Sequence, residues 1–108
     1  MKHINISGNN IGDIGLVSIG AFIKNSPKLE IFELKNCGGT DMGFNSIVNT
    51  IHLNDKNSIK VIHYEKNEIS FATFDMLKKL NQILKAKEVV FYLDKIEGLH
   101  NIDCVKFC

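Results

Sequence analysis

The apolar side chains change period several times along the chain. Ile4-Asn5-Ile6, Phe32-Glu33-Leu34 and Ile62-His63-Tyr64 alternate apolar with polar, the period-two pattern of a strand that buries one face. After each block the spacing lengthens to three and four. Leu16, Ile19, Phe22 and Ile23 form one such stripe, Phe44, Ile47, Val48 and Ile51 a second, and Phe74, Leu77, Leu80 and Leu84 a third. Each predicts an amphipathic helix. Asp13, Asp41 and Ser70 stand just ahead of these stripes, where a short side-chain oxygen is expected to accept N–H groups from the first turn of the helix that follows it. Asn25-Ser26-Pro27 and Asn54-Asp55-Lys56-Asn57 end the first two helices, because proline cannot continue a helix and asparagine favours turns.

The blocks are in phase with one another. Ile4 to Ile11, Phe32 to Gly39 and Ile62 to Ile69 superimpose, and Asn9, Cys37 and Asn67 fall 28 and 30 positions apart. That spacing suits a supersecondary repeat and is too long for a heptad. A weaker fourth block begins at Glu88 and carries Phe91 and Leu93. From Ile102 to Phe107 the residues alternate again, as in a last strand pairing with Val89–Leu93 and closing the end of the core. A single strand–helix unit cannot bury its own apolar faces, whereas stacked units can. The expectation is one α/β domain over 1–108, with units at about 1–28, 29–58, 59–87 and a degenerate, capping 88–108. A parallel sheet lies inside and the helices outside.

Leu29-x-x-Phe32-x-Leu34-x-x-Cys37, followed by Thr40-Asp41-x-Gly43, resembles a leucine-rich repeat of the ribonuclease-inhibitor-like type, and Asn9 through Gly15 match the same pattern. The likeness runs over about residues 1–93. It implies a short right-handed solenoid of about three and a half repeats, with the parallel sheet on the concave face, helices on the convex face and a C-terminal cap. It also implies that Asn9, Cys37 and Asn67 bond loop backbone inside their turns. The family usually has more repeats and capped ends, whereas Met1 stands here where the first repeat's leading leucine would be. The end layer of Met1, Ile4 and Ile6 is therefore expected to be exposed, or covered by self-association or by another subunit.

Composition removes several functions. The net charge is +1, and all 13 basic residues are lysine, so there is no guanidinium for bidentate phosphate contacts and no arginine finger. Three cysteines, Cys37, Cys104 and Cys108, do not form the pattern of a secreted disulfide scaffold. The chain reaches Ser7 and Asn9 too early to contain a signal-peptide hydrophobic region, and no apolar run is long enough to span a bilayer. An intracellular, cytoplasmic protein with no membrane contact is expected.

Candidate chemistry is sparse. Cys104-x-x-x-Cys108 with His100 supplies at most three zinc ligands, where a structural site needs four. His3, His52, His63 and His100 lack metalloprotease spacing, and Gly8, Gly12 and Gly15 have no Walker lysine. Glu33 and His63, outward-facing on neighbouring strands, form the best acid–base pair, but they lack a third member. No catalytic residue, metal or cofactor is expected.

The repeat register predicts rows across the outer sheet face. His3, Ile31, Val61 and Val90 form one, Asn5, Glu33, His63 and Tyr92 the next, and Ser7, Lys35, Glu65 and Asp94 the last. An aliphatic row rimmed by charge suits a protein-binding surface formed by Ile31, Glu33, Lys35, Val61, His63, Glu65, Val90 and Tyr92; equally, loops could half-bury the aliphatic row as part of the core. The expected role is a non-catalytic protein-interaction module, an accessory or structural subunit of a larger assembly. The alternative is a peripheral ribonucleoprotein component, such as a ribosomal one, contacting RNA through Lys78, Lys79, Lys85 and Lys87. A third is a regulator of small GTPases, since some activators of the nuclear-transport GTPase use repeats of this type.

Overall fold

The computed structural model describes residues 2–54, 56–95 and 102–107. Strands β1 (His3–Asn5), β2 (Ile31–Glu33), β3 (Val61–His63), β4 (Val90–Leu93) and β5 (Val105–Phe107) alternate with helices α1 (Gly12–Lys24), α2 (Asp41–Leu53) and α3 (Phe71–Ala86) up to β4, and β5 is the next element among the described residues. The five strands make one sheet in chain order, every neighbouring pair parallel. Burial alternates along them. Phe32, Ile62 and Phe91 point into the core beneath the helices, while their neighbours Ile31, Glu33, Val61, His63, Val90 and Tyr92 lie half-buried on the other face. The molecule is thus one sheet and one helix layer deep.

Register follows the repeat spacing. His3, Ile31, Val61 and Val90 are Cα partners in one row, and Asn5, Glu33, His63 and Tyr92 in another. The pairing continues into the turns, where Gly8 N–H donates to Lys35 O at 2.8 Å and Asn36 N–H to Glu65 O at 2.9 Å. Gly8, Asn36 and Lys66 occupy the same step of successive turns, and all three have left-handed φ, at 82°, 51° and 59°. Asparagine tolerates that region better than lysine does. At the last turn Asp94 Oδ2 takes the place of a backbone acceptor and receives Lys66 N–H at 2.7 Å.

The three helical stripes fill the core. Leu16, Ile23, all four of the α2 stripe, and Phe74, Leu77 and Leu84 are buried, with Ile19 and Leu80 partly so. Phe22 departs from this pattern at 47% exposure, lying about 100° around α1 from the buried Ile23. Its ring edge still meets Phe32, at a centroid distance of 6.3 Å. Helices α1 and α2 approach closely because a Cβ on Gly20 would press on Ser46 and Thr50, and one on Gly43 on Leu16 and Asp13. Phe44 joins the layers by packing on both Tyr64 and Phe91, at 4.9 and 5.3 Å.

The capping expectation is corrected in an instructive way. Neither Asp13 nor Asp41 caps its own helix, and Ser70, though the N-cap of α3, makes no side-chain cap bond. Each aspartate instead serves the next helix. Asp13 accepts from Thr40 N–H at 2.7 Å, Thr40 Oγ1 at 2.5 Å and Gly43 N–H at 3.0 Å. Asp41 accepts from Ser70 N–H at 2.8 Å, Ser70 Oγ at 2.5 Å and Thr73 Oγ1 at 2.6 Å. The aspartates lie inside the first turns of α1 and α2, so their carboxylates reach sideways to the orphan donors of the neighbour. For both, burial pushes the carboxyl upward, but the combined hydrogen bonds outweigh it and hold the group below its ordinary value.

The final strand is shorter than the alternation suggests. Only Val105–Phe107 pair with β4, while Ile102 and Cys104 are buried ahead of the strand. No helix among the described residues is long and apolar enough to cross a membrane.

Candidate functional site

The turns hold themselves with side chains. Asn67 accepts Cys37 N–H at 3.0 Å and Gly39 N–H at 2.9 Å through Oδ1, and through Nδ2 donates to Leu34 O, Tyr64 O and Glu65 O at 2.8, 3.1 and 3.2 Å. It secures its own turn and the preceding one together. Asn9 donates to Ile6 O at 2.7 Å, and buried Cys37 directs its thiol at Ile6 O and Lys35 O. These residues satisfy backbone groups of their turns, exposed at Asn9 and shielded at Cys37 and Asn67.

On the open sheet face Ile31, Val61 and Val90 stand side by side, half-buried. The His63 and Tyr92 rings stack beside them, 4.4 Å apart and 21° from coplanar. Glu33 and His63 are adjacent in register but do not pair with each other. Glu33 Oε2 instead meets His3 Nε2 at 2.5 Å, and His63 Nδ1 lies 3.3 Å from both carboxylate oxygens of Glu65. Glu65 also pairs with Lys35 at 3.8 Å and is only 7% exposed, so it supports the face from within rather than presenting a solvated charge. The acid–base expectation for Glu33 with His63 is therefore replaced by two separate His–Glu pairs.

The four lysines differ in their surroundings. Lys78 and Lys79 are exposed on α3. Lys85 pairs with Asp103 at 3.2 Å, and Lys87 Nζ donates to Ile51 O at 3.1 Å, capping the last turn of α2. A cation near a helix C-terminus is stabilised by the carbonyls it meets. Sequence spacing placed Lys87 by its helix but could not reveal a bond to a residue 36 positions away.

Cys37 and Cys104 are buried free thiols, and burial raises both, Cys104 to about 11. Cys108 and His100 lie outside the described residues, as does Met1. No group of three or more metal-ligating side chains occurs among the described residues.

At the β1 end, Ile4 and Ile6 are half-buried against the core. Beside them opens a depression of about 300 Å³ lined by Ile4, Phe22, Ser26, Pro27, Lys28 and Leu29. Phe22, expected in the core stripe, lines this depression instead.

Among the described residues these features define an α/β protein with a five-stranded parallel sheet, three helices and an open sheet face that carries an aliphatic row. Compared with known proteins, the chain matches no family model, and no curated protein matches it significantly.

Proposed function

We propose that the chain is a non-catalytic protein-binding module, a short leucine-rich-repeat solenoid of the ribonuclease-inhibitor-like type that serves as a small subunit of a larger assembly. In-phase sequence blocks, in-register parallel strands and turns tied by Asn67 support the repeat reading. The observation that carries the binding role is the row Ile31, Val61, Val90, which stays half-exposed in perfect register on the face that the helices leave uncovered, with the His63–Tyr92 stack alongside.

His3, Glu33, Lys35, His63 and Glu65 are paired among themselves, so a partner can cover the β1–β3 part of the row without stranding one of these as a buried ion. Covering the remaining half of each aliphatic side chain is worth about 1 kcal/mol apiece. Three of them plus a tyrosine make an anchor of the kind that dominates protein interfaces.

Ile31→Lys with Val61→Lys tests the reading. Partners captured from native-host extract by wild type are identified, purified and titrated against both proteins. Unchanged circular dichroism with loss of saturable binding supports the proposal. A variant that unfolds assigns the row to the core, and a wild type without a saturable partner refutes the role.

A further inference from the structure

The β1 edge of the sheet carries backbone chemistry that the open face does not. Even-numbered residues of this segment bond to β2, since Lys2 O accepts Ile31 N–H at 2.9 Å and Ile6 N–H donates to Glu33 O at 3.1 Å. In a parallel ladder both polar groups of one residue turn to the same neighbour. The N–H and C=O groups of His3 and Asn5 therefore point away from β2, and no strand among the described residues pairs with β1 on that side.

Directly beneath this edge lies the depression of Ile4, Phe22, Pro27 and Leu29. Successive side chains of a strand alternate between faces, so Lys2 and Ile4 share the face over the depression. Lys28 belongs to the lining of the depression. One exposed lysine in the lining and another at the start of the edge thus flank an apolar hollow whose lining holds no acid among the described residues.

We propose that this edge binds an extended acidic peptide segment of a partner protein, which pairs as an added strand with His3 and Asn5, places one aliphatic side chain in the hollow, and sets carboxylates against Lys2 and Lys28. Strand addition of this kind draws affinity from main-chain bonds and specificity from a pocket for alternate side chains. The site is separate from the Ile31–Val61–Val90 row and stands or falls independently of it.

The probe is a fluorescein-labelled heptapeptide of alternating isoleucine and threonine with glutamate at both ends, compared with the same peptide ending in lysines. Fluorescence anisotropy gives affinity, and amide spectra of 15N-labelled protein give location. The expected result is saturable binding of the glutamate peptide, with shifts concentrated at His3, Asn5 and Leu29 and slowed amide exchange at His3 and Asn5. The double variant Lys2→Glu, Lys28→Glu, confined to exposed side chains, should weaken the glutamate peptide about tenfold and reverse the preference between the peptides. Ile31→Lys should leave this binding unchanged, which separates it from failure of the open-face reading. Absence of saturable shifts, or equal binding of both peptides, overturns the proposal. So does a doubled mass by light scattering with His3 and Asn5 shifts that depend on protein concentration alone, because the occupant is then a second copy of the chain.

Discussion

Replacing Asp41 with alanine removes one carboxylate from three donors on the next unit, the amide and hydroxyl of Ser70 and the hydroxyl of Thr73. Loss of an N-terminal cap costs about 0.5–2 kcal/mol, and hydrogen bonds to a charged acceptor are worth about 1.5–3 kcal/mol each where they are shielded. Ser70 is exposed while Thr73 is only 2% exposed, so one shielded bond and two solvated ones together come to about 2 kcal/mol. For a domain of this size that lowers the thermal midpoint by about 9 °C. Urea denaturation followed by circular dichroism at a series of pH values reads both the size and the origin of the loss. The folded-state carboxyl sits below its ordinary value of 3.8, so its contribution is complete above that value and disappears as pH falls through the lower folded one. Wild type and Asp41→Ala should therefore differ fully near neutrality and converge below pH 3.8. Asp41 also lies in the first turn of α2, where its charge favours that helix by a few tenths of a kcal/mol, roughly 0.3–1. The two contributions separate in a double-mutant cycle with Ser70→Ala and Thr73→Val. If Asp41→Ala costs as much in that background, where only the Ser70 amide still donates to Asp41, as in wild type, the hydroxyl bonds across units add no stability and the reasoning fails.

Other outcomes follow from the packing. A Cβ at Gly39 would collide with Tyr64 Oη and Leu16 Cδ1, so Gly39→Ala should lose about 3 kcal/mol or more in urea titration; Tyr64→Phe in the same background should recover part of it, and full stability of the single variant would contradict the packing. Cys37 and Cys104 are buried, with thiol values raised by that burial, so iodoacetamide at pH 8 should leave both unmodified in native protein and label both in urea. Peptide mapping by mass spectrometry distinguishes the two states, and rapid native labelling of Cys104 would show its surroundings to be open.

Periodicity carried most of what could be read in advance. The alternation at Ile4, Phe32 and Ile62 marks which strand residues face the helices, and the 28- and 30-residue spacings align the strands, because a one-residue slip would turn every core side chain outward. Capping was misread for a related reason. The rule linking a short polar residue to a helix start looks only a few positions ahead, whereas Asp13 and Asp41 find their donors 27 to 32 positions on. A signal was present, since hydroxyl residues Thr40 and Ser70 recur one unit after those acids. Side-chain choices on the open face were less legible. Glu33 and His63 are adjacent, yet the pairing is settled by reach and rotamer, which gave Glu33 to His3 and His63 to the buried Glu65. Lys85 and Lys87 likewise have partners that spacing does not show, Asp103 and the Ile51 carbonyl.

The aspartates that serve the following helix determine where the chain can be cut and rejoined. A cassette must bring an acid for its successor and a hydroxyl for its predecessor. Residues 29–58 carry both, in Asp41 and Thr40. A second copy spliced in after Ser58 would place a new Thr40 within reach of the original Asp41 and present a new Asp41 to Ser70, with every cap renewed. Under the proposed repeat reading, length is an adjustable property, and the joints, more than the helices they connect, define what counts as one exchangeable part.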